Sequence, residues 1–253
     1  MNETALEEKL LSTPRGPVAY WLSRGQQDLT LVFLHDLLGD HLSFDVGPYS
    51  GKCNVLLWDA PAHGKSRPYT VFTYSYAAHD LHQILVKEGL SHVILIGQGF
   101  GASIAKAYLR AYPAEKLLVL EPRVFGPWYE KRLTARIWRS QWLCVCYSRS
   151  RLIRGILGHE FLPQDQRTRL TKAAEAYSKQ ELCRILTLGY VAFLKENQEI
   201  PLPCPGYLIL REGAAPGAAA WAESRKIPKQ ITSDPGAALR EALLKLLNHK
   251  KTV

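Results

Sequence analysis

Residues 91–108 read as a buried strand, a tight turn and a helix: Ser91-His-Val-Ile-Leu-Ile-Gly-Gln-Gly-Phe-Gly-Ala-Ser, continuing to Tyr108. The turn has the spacing G-x-S-x-G, in which a sharp elbow holds a nucleophilic hydroxyl above a sheet. Here Gly99 stands at the centre, between Gly97 and Gly101. Acyl transfer needs a nucleophile, a base within hydrogen-bond reach and a group that orients the base. Gly99 supplies no side chain, so the elbow's geometry is expected without its chemistry.

The same glycines also spell Gly97-x-Gly99-x-x-Ala102 after a strand and before a helix, with Glu121 about 20 residues on. That is a short dinucleotide fingerprint, which would place a pyrophosphate on the helix N-terminus. Phe100 would crowd the phosphate. Metal-ligand spacing is missing: Cys144 and Cys146 form a C-x-C pair with no second pair among the five cysteines. Neither a metal nor a cofactor is expected.

The elements that must position such a turn are legible in the pattern. Short, nearly continuous apolar runs at 29–35, 53–59, 91–97, 116–121 and 205–211 alternate with helical stretches. Strands covered on both faces look like this, so an α/β fold with a mostly parallel sheet and helices on both faces is expected. A shorter strand is predicted at 229–232. An antiparallel edge hairpin is predicted around Leu10–Leu11 and 18–22, split by Pro14-Arg-Gly-Pro17. Helices are predicted at 74–88, 100–111 and 235–248, the last with Asp234 as its N-terminal cap residue and Pro235 first in the helix.

The alternation stops over 123–200, a helical stretch rich in aromatics and arginine. It divides the chain into a core of 1–122 plus 201–253 and a helical cap insertion of 123–200. Between Arg123 and Lys172 stand eleven Lys or Arg and three acids, a net +8 of the chain's +9. Within it, residues 132–147 are roughly amphipathic, and their apolar face, Trp142 included, is expected to turn toward a pocket with the arginines in water. The segment's charge also allows contact with an anionic membrane surface. A specific nucleic-acid partner is not expected.

Three local motifs together resemble the α/β-hydrolase superfamily. Leu31-Val-Phe-Leu-His-Asp-Leu-Leu-Gly-Asp-His-Leu-Ser-Phe44 is similar to its His-Gly oxyanion loop. Val55-Leu-Leu-Trp-Asp-Ala-Pro-Ala-His-Gly-Lys-Ser66 is similar to its D-x-P-G-H-G-x-S loop, and the elbow at Gly97–Gly101 is the third. The resemblance spans about residues 18–247 and is greatest to capped bacterial esterase- and lipase-like hydrolases. It implies an oxyanion and ligand region at His35, Asp36, Leu37, Gly99 and Phe100, with Gly99 as the vestigial nucleophile position. It implies the acid position at Ala214 or Ala215 and the base in a loop before the last helix, where 229–236 holds no histidine.

Substitutes are few. Ser103 lies one helical turn past Gly99, Glu212 one position early for the acid, and His249 in the basic tail, while His35 and His63 fall in loops expected to be structural. Asp36 stands where the superfamily prefers glycine, and a carboxylate there would repel a developing oxyanion. The expected function is therefore a degenerate hydrolase that keeps a cleft for an apolar or acidic small molecule under the cap. An active hydrolase using His35, Asp36 or Ser103, and a dinucleotide binder, are the alternatives. Acids where a signal peptide carries bases, and scattered cysteines, lead to a cytoplasmic expectation.

Overall fold

The computed structural model describes residues 6–120, 139, 141–142, 144–157, 164–196, 202–213 and 216–249. An eight-stranded sheet runs in the order β1-β2-β4-β3-β5-β6-β7-β8. Its strands are β1 (Glu7–Thr13), β2 (Gly16–Ser23), β3 (Gln27–Leu34), β4 (Cys53–Trp58), β5 (Val93–Gln98), β6 (Lys116–Leu120), β7 (Gly206–Arg211) and β8 (Lys229–Thr232). The predicted edge hairpin is present: β1 and β2 pair antiparallel, and β2 pairs antiparallel with β4. Every other pairing is parallel.

The strands bury both faces because alternate side chains enter two different cores. Val32, Leu34, Leu56, Trp58 and Leu95 point to the side covered by α1 (Tyr74–Lys87) and α2 (Phe100–Ala111), whose Leu81, Ile84, Ile104 and Tyr108 meet them. Leu31, Phe33, Val55, Leu57, Ile94 and Ile96 point the other way. There Leu239, Leu243 and Leu247 of the last helix pack on them, four residues apart on one helical stripe.

Between β6 and β7 lie α3 (Arg149–Leu157), α4 (Gln164–Ala174) and α5 (Lys179–Glu196). They share a third core in which Ile153, Leu157, Leu170, Ala174, Tyr177, Leu182 and Ile185 close around Leu38 of the loop after β3. Three polar ties fix these helices to the loops that follow β3 and β4. Arg169 Nη1 donates to both Asp40 oxygens at 2.8 Å, Gly64 N–H donates to the Tyr177 hydroxyl at 2.7 Å, and Arg67 reaches Glu181 at 3.4 Å while lying over the Tyr177 ring.

One helix lies outside those predicted and one expectation needs correction. Helix α6 (Pro216–Ser224), between β7 and β8, escapes the sequence pattern because its Pro216-Gly217 start masks an alanine-rich helix with proline as first residue. Trp142 does not face a pocket: its side chain is 65% exposed, and neighbouring Val145 is 79% exposed. The remainder of 132–147 lies mostly outside the described residues. After β8, only Ser233 and Asp234 precede α7 (Pro235–His249), and Asp234 caps it by accepting from Ala237 N–H at 3.0 Å.

Candidate functional site

The ends of the two central parallel strands β3 and β5 bring His35, Asp36, Gly99 and Phe100 together. Gly99 joins β5 to α2 with φ +49° and ψ −107°, a backbone state open chiefly to glycine. The flanking glycines serve packing. A Cβ on Gly101 would lie 2.1 Å from the Leu34 carbonyl oxygen, and one on Gly97 2.6 Å from Ala102 Cα, so α2 folds back tightly on β3 and β5.

What lies over Gly99 is the side chain of Asp36. A Cβ built on Gly99 would fall 2.3 Å from Asp36 Cγ and from both its oxygens, so no side chain fits at 99 while Asp36 keeps this position. Asp36 Oδ1 accepts two backbone N–H bonds, from Leu37 and Phe100, each at 2.7 Å. Leu37 is in the loop after β3, and Phe100 opens α2, where the helix dipole favours negative charge. These two donors converge on one oxygen as an anion hole does, and the anion in it belongs to the chain. The carboxylate sits within the hole.

The two buried histidines are held by main chain. His35 Nδ1–H donates to the Asp36 carbonyl at 2.7 Å, and its Nε2 accepts from Ala60 N–H at 2.9 Å. With both nitrogens engaged, His35 brackets the loops after β3 and β4 and has no lone pair left for a substrate proton. Burial pushes its pKa down, keeping it neutral. His63 Nδ1–H donates to the Pro61 carbonyl at 3.1 Å, and its Nε2 is buried without a partner among the described residues. Its ring packs 5.3 Å from the His35 and Phe100 rings, and burial lowers its pKa to about 3.

Asp59, which the sequence reading did not single out, organises the same rim. Its Oδ1 accepts from the His41 N–H and ring, and its Oδ2 from Lys65 N–H at 2.7 Å. Burial pushes this carboxyl upward, but those hydrogen bonds hold it below the usual range. A Cβ on Gly64 would sit 2.0 Å from Asp59 Oδ2, so that glycine is what allows the carboxylate under the loop. Ser66 Oγ closes the loop by donating to the Asp59 carbonyl at 2.6 Å and accepting from Ala19 N–H at 2.9 Å. The signal for Asp59 was present in the D-x-P spacing, which places a carboxylate at the end of a buried strand.

Other candidates do not join the cluster. Ser103 is buried within α2, and Glu212 is exposed just past β7. Ala214, Ala215 and Glu121 lie outside the described residues, as does the side chain of His249. Three further histidines are occupied elsewhere: His79 bonds Tyr112, His82 stacks on the Tyr112 ring, and His92 pairs with Glu115.

A parallel sheet whose central strand ends in an elbow, with an anion hole formed by the adjoining loop, is matched by a family profile. Residues 31–243 fit the description of the alpha/beta hydrolase family. The chain belongs to that family. Its architecture is also that of solved family structures at low identity. A hydrolase from Pseudomonas aeruginosa PA01 matches with TM-score 0.76 and 17% identity over 95% of this chain and 98% of that one. MenH from S. aureus matches with TM-score 0.73 and 16% identity, over 92% and 99%. A thermophilic esterase from Thermogutta terrifontis matches with TM-score 0.73 and 14% identity, over 96% and 98%. Among curated proteins, a sn-1-specific diacylglycerol lipase of Danio rerio is 32% identical over 112 residues. That match spans 41% of this chain and only 35% of the lipase.

Proposed function

We propose that this chain is a catalytically degenerate alpha/beta hydrolase, a pseudo-hydrolase that retains a ligand cleft between the sheet and the helices preceding β7. The observation that carries this reading is the Asp36 carboxylate, which takes both anion-hole donors and occupies the space a nucleophile on residue 99 would need. A tetrahedral oxyanion formed there would meet a resident negative charge instead of free N–H donors. The two-residue link between β8 and α7 adds support, since it has no length for a loop bearing a base. His35 cannot stand in, having both nitrogens tied to main chain.

In this reading α3, α4 and α5 act as the cap. Leu37, Leu38 and Ala62, packed against their core, favour an apolar ligand over an acidic one, because the anion position is already taken. The dinucleotide alternative meets the same obstacle: the first N–H of α2 is given to Asp36, and Phe100 is buried among His63, Phe72 and Tyr74. The free cysteines agree with a reducing compartment.

The test is a fluorophosphonate probe together with p-nitrophenyl ester turnover. The expected outcome is no labelling and no turnover above the uncatalysed rate, and Gly99→Ser alone stays inert because no base serves it among the described residues. Stoichiometric labelling of a serine in the wild-type cleft would overturn the proposal.

A further inference from the structure

The residues described between 139 and 146 are helical, and one side of this stretch is fixed to α5. Cys144 shares a hydrogen bond with Cys183, and Lys179 Nζ donates to the Val145 carbonyl at 3.3 Å. The opposite side carries Trp142 and Val145 into solvent. Next along the chain, α3 buries Leu152, Ile153 and Leu157 and turns Arg149, Arg151 and Arg154 outward; Arg139 is exposed as well. No Asp or Glu occurs anywhere from 139 to 157. The neighbouring ion pairs, Arg67 with Glu181 and Arg169 with Asp40, engage none of these four arginines. Arg151 Cζ lies over the Tyr147 ring, 4.4 Å from its centre.

We propose that this face docks on an anionic lipid surface. A large indole and a valine held in water by a packed backbone are costly unless they enter an apolar phase, and Trp suits the headgroup boundary. Arginines beside them would meet lipid phosphates at the depth where the indole inserts. Charge alone would serve a nucleic acid equally well; the exposed apolar pair standing in the chain between Arg139 and Arg149 is what selects a bilayer. Among the described residues no helix is long and apolar enough to span one, so the contact lies on the surface.

The experiment is co-sedimentation of the full chain with vesicles of phosphatidylcholine alone and of phosphatidylcholine mixed with phosphatidylglycerol. Binding is expected only to the anionic vesicles and is expected to weaken with added salt. R149Q/R151Q/R154Q should lower the partition coefficient about a hundredfold, and W142S about tenfold. All four side chains are exposed, so an unchanged melting temperature separates lost docking from lost folding. Equal binding to neutral vesicles, no binding to either, or indifference to both variants overturns the proposal. So does a dimer in solution that W142S dissociates without any vesicle binding, which would assign the face to a second copy.

Discussion

Asp36 and Gly99 form one unit, since the carboxyl keeps its place only because residue 99 has no side chain. Replacing Gly99 by alanine places a Cβ 2.3 Å from three atoms of the carboxyl and asks an L-residue to adopt φ +49°. In the wild-type background, Gly99→Ala should cost about 3 kcal/mol, the sum of backbone strain and steric displacement. In an Asp36→Gly background only the strain remains, and the penalty should fall by about 1 kcal/mol or more. A double-mutant cycle by urea denaturation reads this coupling, and strict additivity would show that the carboxylate does not hold its place over Gly99. The sequence displayed both residues as oddities, a glycine where a nucleophile belongs and an acid where glycine belongs. It could not display that they answer each other, because that depends on a side-chain rotamer and a distance across two strands. His35 and His63 were legible as structural from their loops. Asp59 was visible in the D-x-P spacing, but its hydrogen bonds to the His41 and Lys65 N–H groups leave no pattern of residue types.

At the scale of elements, the three helices before β7 depend on a few polar ties to short loops. Asp40 both caps the turn at His41–Ser43, accepting from Leu42 N–H at 3.0 Å, and receives Arg169. Asp40→Ala should cost about 1–2 kcal/mol from the lost cap and the half-buried ion pair. Tyr177→Phe should cost about 1 kcal/mol by leaving the Gly64 N–H without its acceptor. Both should raise amide exchange in α4 and α5 while leaving β3 and β5 protected, as mass spectrometry can resolve. Uniform exchange across the chain would mean that these helices unfold only with the sheet. The parallel strands and α2 were legible to within about two residues, because most are nearly continuous apolar runs or stripes. Helix α6 was not, since alanine carries no periodicity and its Pro-Gly start imitates a turn.

The whole molecule carries its buried imidazoles at a cost that appears in acid. His63 titrates near its ordinary 6.5 when unfolded but at about 3 when folded, so protons bind the unfolded chain preferentially. Stability is therefore full above pH 6.5 and falls as the pH drops toward 3, by about 2 kcal/mol at pH 5 from this group alone. His35, lowered by burial, adds in the same direction. Urea midpoints at pH 7 and pH 5 should differ accordingly, and His63→Phe should flatten the dependence; a midpoint constant over that range would mean that His63 is reached by water when folded. Family membership was legible because three motifs occur in the right order, which no single one of them secures. The uneven charge was legible too, but not its exposed tryptophan, since a helical stripe read from sequence does not say which side is covered.

The mutual fit of Asp36 and Gly99 also dictates a direction in mutational history. A serine arriving at 99 first would have to displace the carboxylate from its two N–H donors before it could occupy the elbow. If the site is degenerate as proposed, a lineage gaining catalysis would have to shed the acid beforehand, a step that brings no activity of its own.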